Sequence, residues 1–172
     1  MTRFRMRFVV VSTLSVITAV SGCAVPQASD QPDWNDIECM ARAMYFESNR
    51  SSRDGMVAVG SIVMNRVASE DFPNTVCEVV GQKRQFAPGV MTREMSGDAE
   101  VLARDTASAV LKGERHPRTA KARFFHARTY VADFNNIHYV VSTGGNAFYE
   151  KRHPSLVTRR TPPANVEGLT GS

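Results

Sequence analysis

The apolar positions of this chain come in two textures. The first is helical. Ile37, Met40, Ala41, Met44 and Tyr45 form one stripe, the spacing of a helix that buries a single face. Asn35 with Glu38 three residues later has the form of a capping box and sets the expected start; the stripe stops near Ser48 or Asn49. Ser51 or Ser52 can cap a second helix, in which Met56, Val59, Gly60, Val63 and Val67 share a face through to about Ser69. This helix reads as central and buried, and Asn65, polar within it, is expected either to satisfy buried backbone groups or to touch a ligand. Thr75-Val76-Cys77-Glu78 is a further capping box opening a short third helix, and a fourth runs from Ala99 to Lys112, closed by Gly113.

The second texture begins past residue 120. Ala122 to His126, Tyr139 to Thr143 and Asn146 to Tyr149 are β-branched and aromatic, and the last two flank Gly144-Gly145, a hairpin signal. The expected fold class is α+β, mostly α, with a small antiparallel sheet late in the chain.

Ahead of these elements, Arg3, Arg5 and Arg7 precede an uncharged apolar run from Phe8 to Val20. That is the form of a signal peptide, and the run is shorter than the ~20 apolar residues a membrane helix needs. It ends in Val20-Ser21-Gly22-Cys23, which looks like a bacterial lipobox. Residues 1–22 are then a lipoprotein signal peptide, and Cys23 is the lipidated first residue of the mature chain. An ordinary signal peptide cut nearby and a retained transmembrane anchor are the alternatives. Ala24 stands where an aspartate would resemble an inner-membrane retention signal. The expected location is therefore the periplasmic face of the envelope, anchored in the outer membrane of a Gram-negative host. Residues 23–33, rich in Pro, Ser, Gln and Asp, form a solvated linker. Residues 34–152 form one domain, about 120 residues with a single core. Residues 153–172, with three prolines and two glycines, are expected to be a flexible tail.

Export changes the reading of charge. Three of the 21 basic residues precede Cys23 while all 17 acidic ones follow it, leaving 18 against 17 in the mature chain. The basic isoelectric point thus belongs to the export signal, and no nucleic-acid partner is expected. With Cys23 assigned to lipid, Cys39 and Cys77 remain in a chain bound for an oxidising compartment. A disulfide is expected, worth roughly 3 to 4 kcal/mol by loop closure; two separate buried thiols are the alternative. With His116, His126, His138 and His153 these cysteines show neither CxxC nor HExxH spacing, so neither a metal nor an organic cofactor is expected.

The residue least suited to its surroundings is Glu47, at the C-terminal end of an apolar helix in Met44-Tyr45-Phe46-Glu47-Ser48. The negative end of the helix dipole and the desolvating aromatic neighbours both favour its protonated form. A carboxyl held protonated in an apolar setting is what a glycosidase uses to protonate a leaving glycosidic oxygen. A solvated helix-end glutamate is the competing explanation.

Glu38 to Arg66, reading ECMARAMYFESNRSSRDGMVAVGSIVMNR, resembles the cell-wall hydrolase family that includes the spore-cortex-lytic enzymes. Phe72-Pro73-Asn74-Thr75-Val76-Cys77 with Val79-Val80, Gln85-Phe86, Ala107 to Gly113 with Glu114, Phe124-Phe125-His126 and Gly145-Asn146-Ala147-Phe148-Tyr149 continue the match in order. The resemblance implies a lysozyme-like helical domain similar to lytic transglycosylases, cleavage of peptidoglycan glycan strands, and a catalytic glutamate at the end of the first helix, which is Glu47. The Glu47-Ser48 pair resembles the Glu-Ser pair of those enzymes. Three departures stand out: Met56 replaces a common glutamine, Ala147 a common histidine, and Ser48-Asn49-Arg50 the more usual Ala-Arg-Gly.

Hydrolysis normally needs a second carboxyl within about 5 to 10 Å of the acid, and Asp54 reads instead as a helix N-terminal residue. The lytic transglycosylase route is therefore expected, with Glu47 as acid and then base and a 1,6-anhydro-MurNAc product. A hydrolytic muramidase is the alternative, and a non-catalytic peptidoglycan-binding lipoprotein is the reading from another class. An amidase would call for zinc ligands that this spacing does not supply. Candidate substrate contacts are Ser48, Tyr45, Gln85, Phe86 and Tyr149, each with a structural alternative: Ser48 as a cap, Phe86 as a core anchor. His126 lines the groove or closes the sheet edge. A restraining envelope partner remains unnamed.

Overall fold

The computed structural model describes residues 34–171, and of Trp34 the backbone alone. The expected signal peptide, Cys23 and the expected linker fall outside the described residues. Four helices come first: α1 (Trp34–Glu47), α2 (Arg53–Val67), α3 (Val76–Val80) and α4 (Gly97–Leu111). Three strands follow, β1 (Phe124–Ala127), β2 (Ile137–Thr143) and β3 (Asn146–Lys151), in an antiparallel sheet of order β1-β3-β2. The α+β class, mostly α, stands as expected. No described helix is long and apolar enough to cross a membrane.

Local chemistry accounts for most of the element boundaries. Ser52 caps α2, its hydroxyl accepting the Gly55 N–H at 2.9 Å, and Thr75 caps α3, accepting from Glu78 N–H. α1 differs from the capping-box expectation. The helix already includes Trp34, which puts Asn35 inside the first turn, and Glu38 turns to Arg42 and to Arg104 of α4 instead. A one-residue offset at a helix end follows from fraying, but here the glutamate gains two guanidinium partners that tie α1 to α4.

The core is built on α2, buried without interruption from Asp54 to Val63. Met40, Ala41 and Met44 of α1 and Ala103, Ala107 and Val110 of α4 close on it with no exposure. Phe148 of β3 reaches in from the sheet, its ring 5.6 Å from that of Phe125. Met56, one of the family departures, is fully buried here, and Ala147, another, packs with Ile137 and Tyr139 in a smaller cluster. Asn65 donates to the carbonyls of Ala120 and Ala122, at 3.0 and 2.8 Å. Its polarity therefore holds the irregular entry to β1.

Cys39 and Cys77 form a disulfide, Cα atoms 5.2 Å apart, joining α1 to α3 across 38 positions. At that loop length closure is worth about 4 kcal/mol in the chain-entropy account.

The expected flexible tail from 153 onward is corrected. This segment is laid against the domain as a strap. Tyr139 N–H donates to Arg159 O at 3.1 Å and Val166 N–H to Ser142 O at 2.9 Å, so the strap satisfies part of the open edge of β2. Farther on, the N–H groups of Leu169 and Thr170 both donate to the carboxylate of Asp54 at 2.8 Å. Prolines and weak apolar periodicity look like disorder in a sequence, but main-chain hydrogen bonding to a strand edge and a buried carboxylate leaves no periodic trace.

Candidate active site

The site is assembled where α1 ends. Glu47 is the last residue of that helix and half-buried. Its side chain accepts the main-chain N–H of Ala87, in the loop after α3. Its main-chain carbonyl, one of those a helix end leaves without an internal partner, accepts the side-chain amide of Asn146 at 2.5 Å. The acid is thus fixed to the 81–92 loop through its carboxyl and to β3 through its backbone.

Burial pushes the Glu47 carboxyl above the ordinary glutamate value, against the opposing pull of the Ala87 N–H and of the nearby Arg66 cation. Desolvation prevails, as the apolar helix end implies. Two carboxylates that flank the crevice after α1, Asp54 and Glu167, are already engaged in hydrogen bonds. Asp54 accepts from Leu169 and Thr170, and Glu167 accepts from Ser52 at 2.5 Å and from Gly144 N–H at 2.9 Å.

Arg66 is the charged residue beside Glu47 that sequence reasoning passed over. It is 3% exposed, lies over the rings of Phe72 and Phe86 at 5.2 and 5.3 Å, and donates from Nε to Arg123 O at 2.8 Å. Burial lowers its pKa to about 10, with Tyr149 and Glu47 both acting to raise it. One of its terminal nitrogens is buried with no hydrogen-bond partner. The signal was present: Arg66 sits three residues after Val63 on the apolar stripe of α2, where a charge is costly unless it is used.

Tyr149 shares this neighbourhood. Its ring stacks on Phe124 at 5.6 Å and lies edge-on to Tyr139 at 5.8 Å, and burial keeps its hydroxyl protonated to higher pH than usual. His126 joins the same aromatic face, one ring nitrogen 2.8 Å from the Tyr139 hydroxyl and the other 2.9 Å from Ala127 O. That pairing places it as a structural member of the sheet.

The remaining candidates divide. Gln85 is exposed in the 81–92 loop, two residues before Ala87. Phe86 takes the core-anchor role: it is buried under Arg66 and against Phe125. Tyr45 is 4% exposed, its hydroxyl 3.4 Å from the main-chain O and N of Ser96, with Arg50 over its ring at 4.3 Å. It is therefore a packing residue rather than a cleft residue. Ser48 donates to Asn49 O at 3.1 Å, not to Glu47. Its hydroxyl lies in the crevice where Gly55 and Gly144 meet, so close that a Cβ on either glycine would fall within 3 Å of it.

That crevice shapes the loop after the acid. A Cβ built on Gly55 would lie 2.4 Å from the Gly144 Cα, a backbone approach that glycine alone permits. Gly144 and Gly145 also carry φ of +56° and +84° at the hairpin turn. The Gly144 carbonyl accepts Asn49 N–H at 2.8 Å. Helix α2 and the turn thus form a mould around Ser48 and Asn49.

A hollow of about 210 Å³ lies in the 81–92 loop, its wall including Phe86, Ala87 and Pro88. Like it, two larger hollows, one of about 630 Å³ beneath the strap and one of about 470 Å³ by Asn65, Lys121, Arg123 and Lys151, are lined by neither Glu47 nor Arg66.

Known proteins share this arrangement in part. The family profile described as Cell Wall Hydrolase matches residues 50–149, starting just past the acid. The spore cortex-lytic enzyme of Bacillus cereus is 45% identical over 65 residues, which is 38% of this chain and 24% of that protein. The spore cortex-lytic enzyme of Bacillus subtilis is 33% identical over 73 residues, 42% of this chain and 22% of that protein. These matches span less than a quarter of either relative's length. Among solved structures, the catalytic domain of the germination-specific lytic transglycosylase SleB from Bacillus anthracis superposes with a TM-score of 0.58 at 27% identity, covering 73% of this chain and all of that one. The catalytic domain of the Bacillus cereus SleB protein gives 0.57 at 26% identity with the same coverage. A profile matched over more than half of the residues, together with this shared fold, shows that the chain belongs to the cell wall hydrolase family.

Proposed function

We propose that this protein cuts the bond between MurNAc and GlcNAc in peptidoglycan as a lytic transglycosylase, with Glu47 as acid and then base. The observation that carries the reading is Glu47 itself: a desolvated carboxyl at a helix end, raised in pKa, and held by Ala87 and Asn146. The likeness to a catalytic domain titled lytic transglycosylase supports the same reaction class.

The protonated carboxyl gives its proton to the glycosidic oxygen as the bond from C1 of MurNAc to that oxygen breaks. GlcNAc leaves as an alcohol, and positive charge develops at C1. The Glu47 carboxylate then takes the proton from the C6 hydroxyl of the same MurNAc while O6 bonds to C1. The product is a 1,6-anhydro-MurNAc end, and Glu47 regains its proton. One carboxyl suffices because the nucleophile belongs to the substrate, which accords with Asp54 and Glu167 being bound up in structural hydrogen bonds.

Arg66 favours the carboxylate as the proton leaves, without ion-pairing so tightly that the acid is lost. The reading extends to export: residues 1–22 as a signal peptide, Cys23 as the lipid anchor, and the linker as a tether with a reach of about 35 Å from the outer membrane's periplasmic face. Mass spectrometry of the mature N-terminal peptide tests the lipid, and an unmodified Cys23 would remove that part.

The test of the chemistry is mass spectrometry of muropeptides released from purified sacculi, comparing the wild type with Glu47→Gln. Anhydro-MurNAc ends, absent from the variant, are expected. Reducing MurNAc ends would replace this route with hydrolysis, and retained binding with no product from either protein would make the protein a glycan binder.

A further inference from the structure

We infer that Glu167, in the strap beyond the family-matched segment, is a positioning residue that holds the loop after the catalytic acid in its working geometry; the inference rests on the assignment of Glu47. One carboxylate oxygen of Glu167 accepts the Ser52 hydroxyl at 2.5 Å. The other accepts the Gly144 N–H at 2.9 Å and the Asn165 side-chain amide at 3.1 Å. These are the cap of α2 and the turn of the β2–β3 hairpin, the two halves of the mould around Ser48 and Asn49. Ser52 gives its single hydroxyl hydrogen to Glu167 while accepting the Gly55 N–H, so the carboxylate is tied into the Gly55–Gly144 contact from both sides.

From the turn, two links reach the acid. Gly144 O accepts Asn49 N–H, and Asn146, two residues past Gly144, donates to the Glu47 carbonyl. Removing the carboxylate leaves the buried Gly144 N–H and the Ser52 hydroxyl without their acceptor, a cost the turn can relieve by shifting. A shift there moves Asn49, Asn146 and with them the Glu47 carboxyl. Catalytic groups tolerate little: about 1 Å of misplacement can cost roughly a hundredfold in rate. Burial pushes the Glu167 carboxyl up in pKa, and the hydrogen bonds from Ser52, Gly144 and Asn165 outweigh it and hold it below the ordinary range, as expected of a carboxylate in fixed use. The matched family segment ends at residue 149, so Glu167 lies outside that segment while Ser52 and Gly144, which it braces, lie inside it.

The experiment compares steady-state cleavage of soluble peptidoglycan fragments by the full chain in mild detergent for the wild type, Glu167→Ala, Glu167→Gln, Asp54→Asn and Glu47→Gln. Thermal unfolding is recorded for each. Asp54 anchors the far end of the same strap without touching the hairpin turn, and so reports what a merely structural loss does. Glu167→Ala is expected to lower kcat tenfold or more with KM within twofold. Glu167→Gln, which keeps an oxygen for the Gly144 N–H, is expected to recover most of that loss, and Asp54→Asn to lower the melting temperature with kcat retained. Wild-type kcat in a folded Glu167→Ala protein overturns the proposal, as does a loss of kcat that tracks melting temperature equally in the Glu167 and Asp54 variants. Full activity in Glu47→Gln overturns the assignment of the acid and this proposal with it, a result distinct from failure of the brace alone.

Discussion

Asn146 donates its side-chain amide to the main-chain carbonyl of Glu47 at 2.5 Å, across 99 positions of sequence. The carbonyl belongs to a helix terminus and has no acceptor role inside α1, so the sheet completes the helix at the residue proposed to carry the chemistry. Asn146→Ala is expected to leave the fold intact, cost about 1 kcal/mol of stability, and lower kcat roughly tenfold or more. Urea unfolding and kinetics on the same preparation check this, and unchanged kcat would show that the bond serves stability alone.

The raised pKa of Glu47 makes a stability prediction with a definite sign. The unfolded carboxyl ionises near 4.5 and the folded one at higher pH. Between the two, the folded protein holds a proton that the unfolded chain has lost, so stability falls as pH rises through that window. Glu47→Gln has no such proton. The variant is expected to match the wild type below pH 4.5 and to exceed it at neutral pH, commonly by about 0.5 to 2 kcal/mol for relief of a strained functional site. A variant less stable than the wild type at pH 7 would contradict the desolvation account.

Arg66 tests the electrostatics from the other side. Its cation favours the Glu47 carboxylate, so Arg66→Met removes a term that lowers the acid's pKa. The alkaline limb of the kcat/KM profile is expected to move to higher pH, with a lower maximum because the developing carboxylate loses its nearby cation. A limb that stays in place or moves down would detach Arg66 from the acid.

Two glycines of α2 offer an internal comparison. A Cβ at Gly55 meets the Gly144 backbone at 2.4 Å, whereas one at Gly60 meets the tip of the flexible Met44 side chain at 2.3 Å. Backbone cannot yield as a thioether methyl can. Gly55→Ala is therefore expected to cost about 1 to 3 kcal/mol and most of the activity, Gly60→Ala less of both. Equal losses would mean that the crevice at Ser48 is not special.

Reduction of the Cys39–Cys77 bond, or its replacement by a pair of alanines, is expected to lower stability by about 2 to 4 kcal/mol. Its linkage of α1 to α3 meets α1 at Cys39, eight residues before Glu47, about two helical turns away, so kcat at a temperature where the variant is folded should change little. A large drop in kcat there would extend the disulfide's reach to the site.

Much of this was legible in the chain because helices write their packing into spacing. The stripes of α1 and α2, the caps at Ser52 and Thr75 and the Gly144-Gly145 turn all emerge as expected, since each rests on contacts within a few residues. Glu47 was legible for the complementary reason: a carboxylate at an apolar helix end conflicts with its surroundings. What escaped was long-range and polar. Nothing near Tyr45 in sequence announces its bond to Ser96, nor could local pattern reveal that Glu167 meets Ser52 across 115 positions. Arg66 hid within a stripe that was read for its apolar members.

The order in which a chain is made gives the strap a last significance. Glu47 is synthesised early, and Glu167, proposed to seat it, emerges more than a hundred positions later. A nascent, stalled or clipped polypeptide ending before Glu167 would own the proposed acid without its full seat. For a protein proposed to cut the wall that keeps its own cell intact, the strap would act as a delay: full competence arrives only once Glu167 has joined the fold, and a shorter fragment would cut slowly.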